Sequence, residues 1–143
     1  MILLDTNVVS EPMKPRPDPT VLAWLDDQSP QTLYLSSIAL AELLAGVAAL
    51  PAGKRRTALA LALEQQVLPL FEGRVLAFDV TAARAYPAVH AGAAAAGNPI
   101  SFADGAIAAI AAARGFAVAT RNVRDFNGTG VALINPWESD GAG

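Results

Sequence analysis

No cysteine occurs in the 143 residues, which removes disulfides, cysteine-based zinc sites and thiol catalysis together. The only histidine, His90, has no second imidazole with which to build a His-rich metal cluster. A Ser-His-Asp triad would have to use it, and no G-x-S-x-G motif supplies a nucleophile. Charged residues make up 16% of the chain, below the roughly 25% of an average soluble domain. Basic residues number 10 against 13 acidic ones, for a net charge of −3. That balance argues against a broad basic face for nucleic acid. A carboxylate site can still engage phosphate through bound cations, which invert the local field.

Long apolar runs are missing too. No stretch of about 20 apolar residues escapes interruption by charge or turn residues. The opening Met1-Ile2-Leu3-Leu4-Asp5 lacks the basic start of a signal peptide. A cytoplasmic protein without a membrane association is expected. The length suits one domain, at roughly 100–200 residues each, expected over residues 1–137 with a flexible tail at 138–143. The apolar fraction of 53% is ample for one core, and the abundance of alanine predicts closely packed helices.

Along the chain, short apolar runs alternate with helical patterns. Residues 2–5 read as a buried parallel strand ending on a carboxylate. The four prolines in residues 11–19 predict an exposed loop, followed by a short helix from Val21. Residues 33–35 form a second strand. Ser36 or Ser37 then caps a helix over 38–50, and a further helix spans 54–68. A third strand at 75–79 leads into a helical stretch over 80–96, where Pro87 should kink or restart the helix. Ser101 caps a helix through Arg114 that Gly115 ends. Strands at 116–120 and 131–134 complete the order. Strands separated by helices predict a three-layer α/β/α sandwich around a mainly parallel sheet of about five short strands. Functional sites in such sheets lie beyond the carboxyl ends of the strands.

Most of the acids, Glu11 and Asp18 among them, fall in loops or on polar faces and read as solvated charge, and Asp79 reads as a helix cap. Three do not fit that reading. Asp5 closes the most apolar strand, so its carboxylate emerges at the sheet's edge, as a site residue or as an N-cap. Glu42 lies in a helix that is apolar on nearly every side, which predicts burial, and a buried carboxylate is costly unless paired or metal-bound. Asp104 stands at a helix N-terminus in Ser101-x-x-Asp104, either a variant of the capping box or a site acid. If these acids converge, hard oxygen ligands without His or Cys select Mg²⁺ or Mn²⁺, ions suited to phosphodiester hydrolysis.

At these residues the chain resembles the PIN-domain family, and within it the VapC/FitB-type toxins of bacterial toxin–antitoxin pairs. Four stretches carry the likeness in order: residues 2–11 around Asp5, 37–46 around Glu42, 100–115 around Asp104, and 118–126, from Val118 to Phe126. The ending at residues 134–137 also fits. The resemblance implies a compact α/β/α fold and Mg²⁺- or Mn²⁺-dependent endoribonuclease activity on RNA. It also implies a homodimer, a cognate antitoxin that blocks the site, and a larger hetero-oligomer with that antitoxin on DNA. Acids matching Asp5, Glu42 and Asp104 form the family's metal site. A fourth acid often follows the late strand, where this chain has Asn122. Asn122 would then contact a metal-bound water, or Asp125 would supply the missing charge. Thr6 and Thr120 are accessory candidates, and Arg121 and Arg124 are candidates for RNA phosphate contact. The basic run at residues 54–56 reads as solvated.

Rival readings are weaker. A phosphatase built on D-x-D would need an acid where Asn7 stands, and a signalling receiver would need a lysine after a late strand, yet the only lysines are Lys14 and Lys54. The remaining alternative is a PIN-like binding module without turnover, acting through its antitoxin complex by sequestering a partner or binding DNA. The missing fourth acid at Asn122 is its support.

Overall fold

The computed structural model describes residues 1–138; of the tail expected at 138–143, Glu138 ends the 3₁₀ turn Pro136–Glu138 and the rest lies outside the described residues. The apolar runs become five parallel strands, β1 (Ile2–Leu4), β2 (Leu33–Ser36), β3 (Val75–Leu76), β4 (Ala117–Ala119) and β5 (Leu133–Ile134), in the order β3-β2-β1-β4-β5. β1 is central, and Leu4 is in register with Leu35 on one side and Ala119 on the other. The chain moves outward from β1 to β3 and then crosses to β4 on the opposite side. A crevice therefore opens between the carboxyl ends of β1 and β4.

Alternation along the strands divides the core in two. Leu3 and Val118 face a cluster with Ala82, Val89, Ile107 and Phe126. Leu4, Leu35 and Ala119 face the other cluster, with Val8, Ala39, Leu43 and Leu63. The first layer is the alanine-rich pair α5 (Val80–Ala95) and α6 (Phe102–Arg114). The second holds α1 (Thr6–Ser10), α3 (Ser37–Ala48) and, through Leu63, the end of α4 (Lys54–Ala62). α2 (Pro19–Asp26) lies beside the second cluster through Trp24 and Leu25. This is the α/β/α sandwich expected, and among the described residues no helix is long and apolar enough to cross a membrane.

Several boundaries and two burial expectations need correction. Helix α1 follows β1 immediately, because the Asp5 side chain caps it; its Val-Val pair hid it from periodicity. The helix expected over 54–68 is α-helical only to Ala62, then takes one π turn (Leu63–Val67) and a 3₁₀ turn (Leu68–Phe71) with Pro69 in its opening positions. β3 spans two residues, since Asp79 is already the N-cap of α5, accepting from the Ala82 amide at 2.9 Å. Pro87 lies within α5 without breaking it.

Glu11, expected as solvated charge, is only 3% exposed. Its Oε2 accepts from the Asp18 amide at 2.9 Å and its Oε1 meets Lys14 Nζ at 2.8 Å, folding the proline-rich segment back on itself. The Lys14 contact and the Asp18 amide hold this carboxyl below its ordinary pKa. Glu42, expected to be buried, is exposed. α3 turns only Ala39 and Leu43 fully into the core, leaving Leu44 41% exposed, so an all-round apolar helix here is a surface helix.

Candidate metal centre at the carboxyl edge of the sheet

Register places Asp5 and Thr120 one step beyond the paired Leu4 and Ala119. The Asp5 amide donates to the Ala119 carbonyl at 2.9 Å, which extends the ladder and aims the carboxylate into the crevice. Asp5 is 6% exposed and Thr120 fully buried. Asp5 Oδ1 accepts from the Thr6 amide at 2.8 Å, and Oδ2 accepts from Thr120 Oγ1 at 2.8 Å. The N-cap reading of Asp5 therefore holds, and the same carboxylate stands at the carboxyl edge of the sheet.

Helices α3 and α6 present their N-terminal turns at this same edge. Ser36 caps α3, its Oγ accepting from the Ala39 amide at 2.9 Å. Glu42, beyond the first turn, accepts from Thr6 Oγ1 at 2.6 Å through Oε1. Ser101 caps α6, accepting from the Asp104 amide at 3.2 Å. Asp104 is half-buried in the first turn, where the helix dipole favours a negative charge.

Burial raises the pKa of Asp5, against the hydrogen bonds from Thr120 and Thr6, and the charges of Glu42 and Asp125 add to the rise. Asp104 is pushed up to about 6, first by burial and then by the charges of Asp5 and Asp125, with Glu42 contributing and Ser101 opposing. Four carboxylates therefore sense one another. Among the described residues no three of them close into a ready metal cage; like charges without a counter-ion stay apart. The donor set is nevertheless all oxygen, and the hydrogen bonds from Thr120 and Thr6 favour the ionised form of Asp5 against its burial. Those features suit a hard divalent cation.

The fourth position is sharpened. Asn122 is exposed, and its amide donates to Thr120 Oγ1 at 3.0 Å. Asp125, in the 3₁₀ turn Val123–Phe126, shares a polar cavity of about 240 Å³ with Asp104, Ser101 and Asn98. Arg121 is exposed with its guanidinium 5.1 Å from the centre of the Trp137 ring, and Arg124 is exposed. In the basic run at residues 54–56, Lys54 and Arg55 are exposed, as expected, and Arg55 borders an apolar groove.

Two residues that sequence reasoning passed over belong to the frame. Asn7 Nδ2 approaches Asp5 Oδ2 at 3.5 Å, while its Oδ1 accepts from the Arg121 amide at 3.2 Å. Asn98 holds the Asp125 turn. The Asp-Thr-Asn run at residues 5–7 was the available signal for the first; nothing local signalled the second.

Residues 2–130 match the PIN domain family. The chain is 55% identical over 138 residues to the VapC ribonuclease Y4jK of Sinorhizobium fredii (strain NBRC 101917 / NGR234), covering 96% of this chain and 99% of that protein. It is 48% identical over 137 residues to the toxin FitB of Neisseria gonorrhoeae (strain ATCC 700825 / FA 1090), covering 96% and 99%. The structure of FitAB bound to an IR36 DNA fragment superposes with a TM-score of 0.91 at 47% identity, covering 96% of each chain. With an all-parallel sheet in the same fold and acids delivered to its carboxyl edge, the chain belongs to the PIN-domain family and, within it, to the VapC/FitB toxins.

Proposed function

We propose that this protein is a metal-dependent endoribonuclease, the toxin of a toxin–antitoxin pair. The observation that carries the reading is electrostatic. The chain brings Asp5, Glu42, Asp104 and Asp125 close enough that the charges of the other three raise the pKa of Asp104, an arrangement that is unfavourable without a cation. Asp5, Glu42 and Asp104 would hold the ion, with Mg²⁺ the expected occupant and Mn²⁺ a substitute, since all their donors are hard oxygens. A divalent cation supplies there a more acidic water and neutralisation of charge at the scissile phosphodiester.

The chain's own residues do the rest. Thr120 and the Thr6 amide fix the two oxygens of Asp5, the Thr6 hydroxyl orients Glu42, and Asp125 provides the charge that Asn122 lacks. Asn122 stands at the rim, able to orient a water. Arg121 and Arg124 are the exposed cations beside the acids, placed to meet RNA phosphates.

A cognate antitoxin is the expected partner. An apolar groove of about 550 Å³ between α3 and α4, with Leu43, Val47 and Leu59 in its walls, runs up to Thr6 and Glu42, so a segment seated there would reach the site. Exposed Leu44, Leu61, Val80 and Phe102 supply apolar surface for a homodimer and for a larger antitoxin complex on DNA.

The test uses protein purified free of antitoxin and incubated with structured RNAs in Mg²⁺, Mn²⁺ or chelator, beside Asp5→Asn. Cleavage confined to the metal-loaded native protein is expected. Equal cleavage by the variant or in chelator removes the metal-carboxylate mechanism; no cleavage of any RNA favours the binding-module alternative.

A further inference from the structure

We propose that Asn98 is a positioning residue that clamps the Asp125 turn against the start of α6, so that Asp125 and Asp104 share one cavity. Its effect on cleavage rests on the functional reading above; the clamp itself does not.

Asn98 is held by the end of α5. The Gly97 amide donates to the Ala94 carbonyl at 3.0 Å and the Asn98 amide to the Ala93 carbonyl at 2.9 Å. This is a Schellman closure, with Gly97 at φ 76° supplying the left-handed step. From that anchor, Asn98 Nδ2 donates to three carbonyls of the facing segment: Arg124 at 3.1 Å, Asp125 at 3.3 Å and Asn127 at 3.1 Å. The amide has two hydrogens, so at least one is shared between acceptors.

Otherwise the gripped segment is held by Phe126, by its own turn bonds and by the Thr129 hydroxyl on the Phe126 carbonyl. It is one 3₁₀ turn, Val123–Phe126, whose intrinsic hydrogen-bond geometry is poor. Phe126 anchors it in the core, but Arg124, Asp125 and Asn127 are exposed. Gly128 at φ 85° lets the segment lie directly on α5, where a Cβ would come within 2.6 Å of Ala96 Cβ. The turn after Asn98 then runs through Pro99 and Ile100 to Ser101, whose hydroxyl caps the Asp104 amide. Four consecutive residues thus fix both walls of the cavity, gripping Asp125 at one end and capping the Asp104 helix at the other.

A double-mutant cycle tests this. kcat/KM for RNA in Mg²⁺ is measured for Asn98→Ala, Asp125→Asn and both together. Asn98→Ala should lose about tenfold alone, as coupled neighbours do, and less than about twofold in the Asp125→Asn background. Asn98→Asp, the same shape with the donor exchanged for acceptors, should lose at least as much as Asn98→Ala. Amide hydrogen exchange, read without substrate, should quicken in the Asn98→Ala variant at residues 123–128 and not in the sheet. Gly128→Ala should give the same signature without touching Asn98, which keeps the test usable if Asn98 variants fold poorly. Equal losses from Asn98→Ala in both backgrounds, or native activity in Asn98→Asp, would overturn the proposal. If native protein cleaves no RNA the functional reading fails, and unchanged exchange at residues 123–128 then overturns the clamp on its own.

Discussion

Thr120 Oγ1 donates to Asp5 Oδ2 at 2.8 Å across 115 positions of sequence. The same oxygen accepts from the Asn122 amide at 3.0 Å. One buried hydroxyl therefore ties the first strand's carboxylate to the loop after β4, and adjacent register makes that contact unavoidable once β1 and β4 pair. Thr120→Val keeps the volume and deletes both bonds. A buried carboxylate oxygen then loses its shortest side-chain donor, which should lower stability by about 1–3 kcal/mol. Urea unfolding measures it, with Thr120→Ser expected to lose less. A native unfolding midpoint for Thr120→Val would mean the bond contributes nothing net.

Asp104 works against the fold it serves. Burial and the charges of Asp5 and Asp125 put its pKa at about 6, against an ordinary 3.8. Between those values the folded protein keeps a proton that the unfolded chain has released, so this group makes stability fall as pH rises through the window. Asp104→Asn removes that effect. In chelator the variant should melt above the native protein at pH 7, with the advantage shrinking towards pH 4. The half-exposed position lets water screen much of the repulsion, so a gain of roughly 2–4 °C, equivalent to about 1 kcal/mol in a chain of this size, is expected. Cleavage should be lost. A variant that melts lower at pH 7 would remove the charge-repulsion account.

The same proton competes with metal. Carboxylates must be ionised to ligate, so Mn²⁺ affinity measured by calorimetry should weaken as pH falls below about 6, the value for Asp104. At pH 7 binding should release less than one proton from this group, and more near pH 5.5. Affinity that is flat from pH 5 to 7 would exclude Asp104 as a ligand.

Local signals account for the legible part of the fold and site. Asp5 at the end of an apolar strand, Ser101 before a helix and Gly115 after it each act within a few residues, and each stands where expected. What the sequence hid depends on how loops fold back and on contacts between distant segments. Glu11 reads as loop charge until Lys14 and the Asp18 amide fold onto it. Asn98 reads as part of a Gly-Asn-Pro turn, because the carbonyls it grips lie 26 to 29 residues away. The burial expected of Glu42 fails: its apolar neighbours mark an exposed apolar surface on α3, and its carboxylate instead accepts from the Thr6 hydroxyl, 36 residues away.

Glu42 consequently allows function to be separated from stability. It is exposed, so Glu42→Gln leaves no buried charge and no cavity, and its cost in stability should stay within about 0.5 kcal/mol, as for surface changes generally. The amide oxygen can still accept from Thr6 Oγ1, which preserves the 2.6 Å contact while removing the negative charge. Cleavage should fall by about 10²-fold or more if Glu42 holds the ion, since altering metal-site chemistry costs on that order, and raised Mg²⁺ should recover part of it. Thr6→Val makes the complementary change, keeping the charge and freeing its orientation, and should cost less activity than Glu42→Gln. Parallel thermal melts and Mg²⁺ titrations of cleavage read both variants. Native cleavage by Glu42→Gln would remove Glu42 from the metal site and leave Asp5, Asp104 and Asp125 as its acids.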